Sequence, residues 1–213
     1  MKRCSVVLGL CLAGVIATPE VAQACMHGKS RVRQVDPVQQ DVQRAEHLLA
    51  RGDHAGAVRV ARRPFNDIQR LSPSSGGSRT ALLVRAQRVV ALAAVRTDGA
   101  VGPKRATKKR GASASAAHNK TWATVVLQHH AALEPDNTVR QTEYAEALAA
   151  MPFMGGVALN ILTRLADEDL MPTARGYVLL ARLQKDHGDE NGSAHSLARC
   201  NDISHDSDTC RVA

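Results

Sequence analysis

Two distant stretches of the sequence share one pattern: a helix-forming segment, a Gly-Asp turn and a second helix-forming segment. The first covers residues 42–62 and turns at Gly52, and the second covers residues 173–200 and turns at Gly188. Glycine tolerates the left-handed backbone that ends a helix, and the aspartate after it caps the next helix. Because so short a turn forces the two helices to run antiparallel, the chain is predicted to repeat a helical hairpin.

Composition and spacing predict an all-α fold. Aromatic residues make up 2% of the chain, and the apolar residues are mostly Ala, Leu and Val without the alternation typical of strands. Prolines, glycines and capping residues divide the sequence into eight helices, or about four hairpins. The third helix is predicted to bury Leu82, Ala86, Val89, Val90 and Ala93. The fourth is predicted to bury Trp122, Val125, Val126, His129 and Leu133.

The hairpins carry a resemblance to a known family. Tyr144 and Gly155 precede Tyr177 and Gly188 by 33 residues each, close to the period of 34 in tetratricopeptide (TPR) repeats. Further positions have the large, small or terminal residue types found at the helix crossings and repeat ends of that family: Leu180, Ala181, Ala123, Leu127, Pro135, Ala45, Leu48, Gly52 and Ala57. The sequence therefore resembles TPR proteins, which implies hairpins stacked as a short right-handed solenoid.

The resemblance also implies a function and a surface. First helices of TPR hairpins line a concave side, where family members commonly hold peptides or helices. In the last two pairs this places five residues near such a surface: Arg140, Glu143, Tyr144, Arg175 and Tyr177. The two tyrosines fit a packing role equally well. The expected function is a non-enzymatic protein-binding or scaffold protein of the bacterial cell envelope, whose partner is another protein or a peptide.

The first residues resemble a secretory signal peptide. Lys2 and Arg3 precede an apolar run at residues 5–18, which is too short to span a bilayer. Small residues then lead to a predicted cleavage site between Ala24 and Cys25. We therefore expect residues 1–24 to be removed and the protein to be exported, periplasmic or outer-membrane-associated, with no transmembrane segment. A lipid anchor on Cys25 is an alternative, although a Leu-type lipobox residue is missing before it.

Three cysteines remain after that cleavage. Export permits disulfides, and Cys200 and Cys210 are the natural pair, which leaves Cys25 over. An alternative function uses the new N-terminus, because a free amine on Cys25 with His27 in third position suits copper or nickel. The protein would then handle metal in the envelope. The principal hypothesis requires no cofactor.

Charge divides the chain unevenly. Residues 25–133 contain 19 basic and 6 acidic side chains, whereas residues 134–213 contain 7 basic and 13 acidic ones. The basic stretch 99–120 lacks an apolar stripe and is predicted to be a flexible insertion in weak contact with anionic envelope polymers. No aromatic residues are interleaved there for base stacking, so nucleic acid is not expected. The remaining boundaries are a flexible N-terminus at 25–35, helices at 36–98 and 121–200, and a tail at 201–213.

Candidate catalytic groups have simpler interpretations. His129 is predicted to lie in the core and His130 to be exposed, since adjacent helical residues point about 100° apart and chelate poorly. The acidic run at 167–169 is predicted to be a solvated helix end. The sequence contains no G-x-S-x-G, H-E-x-x-H or phosphate-loop motif. We therefore do not expect an enzyme.

Overall fold

The computed structural model describes residues 36–65, 67–71, 77–103, 111–204 and 209–211. Within them the chain forms eight α-helices and no strand, which confirms the all-α class. The helices are α1 (Pro37–Ala50), α2 (His54–Arg62), α3 (Ser78–Arg96), α4 (Ala112–Leu133), α5 (Thr138–Ala149), α6 (Gly155–Asp167), α7 (Ala174–Asp186) and α8 (Glu190–Ile203). None of these described helices has the length and apolarity needed to cross a membrane. The predicted signal peptide (1–24) and flexible N-terminus (25–35) lie outside the described residues.

The two Gly-Asp turns have the same local structure. In the turn between α1 and α2, Gly52 has a φ of 80°, and the Asp53 carboxylate accepts a hydrogen bond from the Gly56 N–H at 2.8 Å. The turn between α7 and α8, residues 188–192, repeats this arrangement with a φ of 82° and a capping distance of 2.8 Å. A Cβ on the second glycine of either turn would collide with the capping carboxylate. The pattern Gly-Asp-x-x-Gly therefore specifies this hairpin turn.

The helices contact one another in a regular order. Consecutive helices form four pairs: α1 with α2, α3 with α4, α5 with α6, and α7 with α8. The first helices of these pairs also contact each other in sequence, α1 with α3, α3 with α5 and α5 with α7. In the part of the chain that is described, no second helix contacts another second helix. The first helices thus form a continuous row, and the second helices are kept apart.

Two apolar clusters fill the interior. The first cluster lies mainly among α1 to α4 and is rich in alanine and valine. It contains four fully buried residues of the stripe predicted for α3: Ala86, Val89, Val90 and Ala93. The second lies among α5 to α8 and uses larger side chains, among them Leu162, Leu165, Tyr177, Leu180 and Leu183. Tyr144 packs against both clusters and joins them.

The buried face of α4 differs from the prediction. His130, predicted to be exposed, is 2% exposed, whereas Val125 and Leu133, predicted to be buried, are exposed. The buried residues are Ala123, Val126, Leu127, His130 and Ala131, together with Ser115 and Asn119. α4 packs against both α3 and α5, and the small alanine side chains let those helices approach closely. That packing, rather than the larger valine and leucine side chains, sets the face.

The predicted flexible insertion at 99–120 was too long. α4 already begins at Ala112, and the Asn119 side-chain amide donates a hydrogen bond to the Gly99 carbonyl at 2.9 Å, which ties the helix to the preceding loop. Alanine has the highest helix propensity, so the Ala-rich sequence after residue 111 extends the helix. Residues 104–110, which hold most of the basic side chains, lie outside the described residues.

The C-terminal segment is attached through the predicted disulfide. Cys200, near the end of α8, bonds to Cys210, with the two Cα atoms 5.8 Å apart. Both cysteines are buried in the second cluster. α8 continues to Ile203, so the predicted tail at 201–213 starts as helix.

Candidate functional site

A cavity opens between the first helices α3, α5 and α7. Its volume is about 150 Å³. The lining residues come from three helices and from the connection before α7: Arg88, Arg96, Val139, Thr142, Glu143, Glu146, Pro172, Thr173, Arg175, Gly176 and Leu179. The site is therefore formed by three consecutive hairpins, each of which contributes its first helix.

Ion pairs between these helices form one wall, which we call the inner seam and define as Arg88, Arg96, Glu143, Glu146 and Arg175. The Arg88 Nε lies 2.8 Å from both carboxylate oxygens of Glu143. Arg96 binds Glu146 with both ends of its guanidinium, at 3.0 and 3.1 Å. The Arg175 Nε reaches the same Glu146 carboxylate at 2.8 Å. The inner seam thus connects α3 to α5 and α5 to α7.

Helix geometry explains how the seam forms. Glu143 and Glu146 are three residues apart on α5, so both carboxylates lie on the same face of that helix. The arginines of α3 lie away from its apolar stripe. Because Arg88 pairs with Glu143 and Arg96 with Glu146, the partners follow the same order along α3 and α5. The two helices therefore run parallel.

Burial and charge determine the ionisation of the seam. Burial raises the pKa of the Glu146 carboxyl, but the charges and hydrogen bonds of Arg96 and Arg175 together outweigh it and hold that pKa below its ordinary value. Burial alone would lower the pKa of the Arg88 guanidinium. The hydrogen bond and charge of the Glu143 carboxylate have the larger effect, so that pKa lies above its ordinary value. Glu146 and Arg88 are thus both charged at neutral pH.

The rest of the cavity wall is mostly apolar. Val139, Pro172 and Leu179 supply carbon surface. Gly176 leaves room for the Met171 side chain, with which a Cβ would collide, and that Cβ would also lie 3.1 Å from the Thr142 methyl group of α5. A cavity of this size holds one side chain rather than a large cofactor. The arrangement offers an apolar slot beside guanidinium groups, which suits an amphipathic side chain of a peptide.

Three of the five predicted partner-binding residues lie at the cavity. Glu143 and Arg175 line it. Arg140 lies beside it, with its Nη1 3.5 Å from a Glu143 carboxylate oxygen and its Nε 3.8 Å from Glu134. Their role in binding a partner stays a prediction.

The two tyrosines of that set lie in packed positions. Tyr144 is partly buried between the two apolar clusters. Tyr177 is buried in the second cluster, and the Arg199 guanidinium sits 5.9 Å from its ring centroid. The packing interpretation left open by the sequence therefore describes the surroundings of both rings.

Sequence reasoning missed part of the cavity. The charged wall includes three residues that were not predicted, Arg88, Arg96 and Glu146. The apolar wall includes two more, Val139 and Leu179. One signal was available: arginines recur along α3, a helix with few other charges, and the carboxylates of α5 are spaced to meet them. Which arginine meets which carboxylate depends on the register between helices, and the sequence does not contain that information.

The candidate metal ligands do not assemble into a site. Among the described residues, no group of three or more His, Cys, Asp or Glu is arranged to hold an ion. The rings of His129 and His130 are 6.2 Å apart and tilted by 49°, and within the described chain neither ring nitrogen of His130 has a hydrogen-bond partner. Cys25 and His27, the alternative metal ligands, lie outside the described residues, as does the predicted cleavage site at Ala24.

Comparison with known proteins adds no relative. No family model, no curated protein and no solved structure matches the chain. The resemblance to TPR proteins therefore rests on the residues of this sequence alone.

Proposed function

We propose that the protein is a non-enzymatic protein-binding or scaffold protein of the bacterial cell envelope, in which TPR-like hairpins stack as a short right-handed solenoid and present a concave surface to a peptide or helix. The partner is held along the row of first helices α1, α3, α5 and α7. The cavity between α3, α5 and α7 receives one of its side chains.

The order of helix contacts supports the TPR-like arrangement. In a stacked solenoid each repeat contacts only its neighbours. Here each first helix contacts the next first helix, and the second helices of successive pairs do not meet within the described residues. Elements that touch on one side and separate on the other form a curved stack, whose concave side is the one where they touch.

The cavity is the observation that carries the binding proposal. It combines carbon surface from Val139 and Leu179 with the guanidinium of Arg175, which keeps more than half of its side chain in solvent. Binding energy in interfaces concentrates where an anchor side chain fills a pocket with a polar rim. The cavity has that form, and it opens on the face where the family resemblance places a partner.

Two further features support the rest of the proposal. Glu146 is already ion-paired and has a depressed pKa, which suits a structural carboxylate better than a general acid that must hold a proton near neutral pH. The leader-like residues 1–24 and the disulfide between Cys200 and Cys210 support export to an oxidising compartment.

A displayed peptide library selected on the purified protein tests the proposal. Selected peptides are then titrated against Val139→Asp and against Val125→Asp as a matched control. Both valines are exposed, but Val139 lines the cavity and Val125 lies on the second helix α4. An aspartate at 139 lies in the first turn of α5, where a negative charge is compatible with the helix dipole.

We expect Val139→Asp to weaken binding about tenfold or more, the loss typical of a disrupted anchor pocket. Val125→Asp should bind as the wild type does. If both variants bind equally well, the peptides use another surface and the assignment of the cavity is wrong. If selection yields no peptide that binds the wild type, the binding function itself is contradicted.

A further inference from the structure

The charged groups around the cavity are unequal in number. All five residues of the inner seam line the cavity, and three of them are arginines and two are glutamates. The seam therefore has one more positive than negative charge. Arg140 lies beside it with Glu134, at 3.8 Å, and this pair of opposite charges leaves the excess unchanged. The cavity wall thus has a positive charge that its own carboxylates do not neutralise.

A nearby histidine shows the sign of the electrostatic potential. Burial lowers the pKa of the His54 imidazole at the start of α2, and repulsion from Arg96 and Arg175 lowers it further. Attraction by Asp53 and Glu146 acts in the opposite direction and is smaller. The potential that these charges produce at His54 is therefore positive on balance, in agreement with the excess of arginines.

The carboxylates of the inner seam are already occupied by hydrogen bonds. Both oxygens of Glu143 accept from Arg88, and both oxygens of Glu146 accept from Arg96. The two glutamate side chains are only 8% and 12% exposed. A cationic ligand would have to displace an arginine from a buried carboxylate, so the cavity does not suit a lysine or arginine side chain of a partner.

The arginines, in contrast, keep N–H groups that no protein atom accepts. Arg88 and Arg96 donate through Nε and Nη2, whereas Arg175 donates through Nε alone. Within the described chain, the buried atoms that lack a partner do not include the Nη1 of Arg88 or of Arg96, so both nitrogens are accessible to solvent. The Arg175 side chain is 58% exposed. Guanidinium groups with unused donors bind anionic oxygens through charge-assisted hydrogen bonds.

The apolar wall and the size of the excess charge indicate which anion fits. Val139, Pro172 and Leu179 line part of the cavity, whose volume is about 150 Å³, with carbon. A carboxylate has a single negative charge, which matches the excess of the inner seam, and its hydrocarbon chain covers the carbon surface. A phosphate group has a charge of about −1.5 to −2 at neutral pH and no hydrocarbon of its own. The carboxylate is therefore the better match.

We infer that the cavity binds a carboxylate on a short hydrocarbon chain, with the carboxylate at the unused N–H groups of Arg175 and the chain against Val139 and Leu179. Glutamate and aspartate side chains of a bound peptide have this chemistry, and so does a free alkyl carboxylic acid. The peptide source rests on the proposed function and specifies the anchor side chain, whereas the free acid does not depend on that function.

Substituted peptides test the first source. Peptides that are selected on the purified protein and weakened by Val139→Asp are made again with each glutamate changed to glutamine and each aspartate to asparagine. At one position this change should weaken binding about tenfold or more, because hydrogen bonds to a charged group are lost. The protein variants are Arg175→Gln and, as a matched control on the same helix, Arg182→Gln, whose side chain is 68% exposed. Both variants remove one positive charge.

The preference for the acid peptide over its amide is the decisive measurement. In Arg175→Gln this preference should largely disappear, whereas Arg182→Gln should keep it. The ratio separates ligand binding from folding, because damage to the structure of the cavity would weaken the acid and amide peptides alike. A preference that Arg175→Gln leaves unchanged contradicts the inference.

Pentanoate and pentanamide test the second source. The two molecules have nearly the same shape and differ in charge. Methyl NMR signals of Leu179, which lines the cavity, follow binding, and those of Leu133, exposed on α4, are the control. Pentanoate should shift the Leu179 signals saturably and leave those of Leu133 in place. Pentanamide should shift neither, and Arg175→Gln should abolish the effect of pentanoate.

The outcomes distinguish the two sources from failure of the inference. Acid-dependent peptides without a pentanoate shift assign the site to the side chain of a partner, and a pentanoate shift without acid-dependent peptides assigns it to a free acid. If peptides weakened by Val139→Asp prefer no acid, and pentanoate binds no better than pentanamide, the inference is overturned while the binding function stands. If no peptide binds, the proposed function fails, and the pentanoate result alone decides the inference.

Discussion

Two contacts between first helices use the same chemistry in different surroundings. Where α1 meets α3, Glu46 binds both ends of the Arg85 guanidinium, at 2.9 and 2.5 Å. Where α3 meets α5, Glu143 binds Arg88 and Glu146 binds Arg96 in the same two-pronged way. We call the Glu46–Arg85 contact the outer pair, to distinguish it from the inner seam.

Burial separates the two contacts. The Glu46 side chain is 29% exposed, and that of Glu143 is 8% exposed. Water competes for the outer pair and screens it, so such a pair contributes little to stability. In the inner seam every charge except that of Arg175 has lost most of its hydration and depends on its partner, so removing one partner leaves a largely buried charge uncompensated. Identical residue types can thus have a marginal or a large effect on stability, and the distinction lies in packing rather than in sequence.

The largest expected effect is the loss of one carboxylate from the inner seam. Glu143→Ala should lower the free energy of unfolding by about 3 kcal/mol, because Arg88, whose side chain is 26% exposed, would remain largely buried without its counter-charge. Urea unfolding at neutral pH measures the loss. The double variant Arg88→Met with Glu143→Leu should recover most of it, since it removes the Arg88 charge together with its partner and leaves Arg140 the Glu134 carboxylate. A double variant no more stable than Glu143→Ala would show that the loss comes from packing rather than charge.

A buried histidine beside the inner seam makes stability sensitive to acid. Burial, reinforced by repulsion from Arg140, His129 and Arg88, lowers the pKa of His130 to about 4 from an ordinary value of 6.5. As pH falls, the unfolded chain therefore binds a proton before the folded protein does. The contribution of neutral His130 to the free energy of unfolding is fully present above about pH 6.5. It is lost as pH falls towards 4, and the loss amounts to about 3 kcal/mol in total.

His130→Leu isolates that effect. Because neither ring nitrogen of His130 has a hydrogen-bond partner within the described chain, leucine should cost little at neutral pH. Urea unfolding at neutral pH and near pH 4 should show the variant losing about 3 kcal/mol less than the wild type. His129→Leu, one residue away and less buried, is the matched control and should keep most of the wild-type acid sensitivity, because burial rather than His129 is the largest cause of the low His130 pKa. Equal acid sensitivity in wild type and His130→Leu would contradict the assignment.

Glu146 gives the inner seam a second, smaller dependence on pH. Its folded pKa is depressed, so its ion pairs stabilise the protein above the ordinary value of 4.5, and this contribution is lost as pH falls through the folded pKa. Glu146→Gln should cost about 2 kcal/mol at neutral pH, the scale of hydrogen bonds to charged groups. The stability difference between wild type and variant should shrink in strong acid. A difference independent of pH would mean that the ionised carboxylate is not what stabilises the contact.

Much of the fold could be predicted because its determinants are local. The Gly-Asp turns at Gly52 and Gly188 and the cysteine pair were identified from residues close together in sequence. The buried face of α4 was wrong because alanines on several of its sides leave no distinct apolar stripe. Contacts with α3 and α5 then decide the face, and they buried His130 rather than His129.

The candidate site was less predictable because its partners are distant in sequence. Glu143 and Arg175 could be placed on the row of first helices from the spacing of the repeats. Arg88 is 55 residues from Glu143, and its role depends on how α3 and α5 align.

The smallest expected effect is the loss of the Glu46 carboxylate from the outer pair. Glu46→Ala should lower the free energy of unfolding by less than about 1 kcal/mol, since water can replace the carboxylate at Arg85. Added salt should reduce the small difference in the free energy of unfolding between Glu46→Ala and the wild type. The corresponding difference for Glu143→Ala should change little with salt, because buried charges are screened less than exposed ones. Urea unfolding of both variants at low and high salt measures this contrast. A loss in Glu46→Ala as large as that in Glu143→Ala would mean that burial does not set the strength of these contacts.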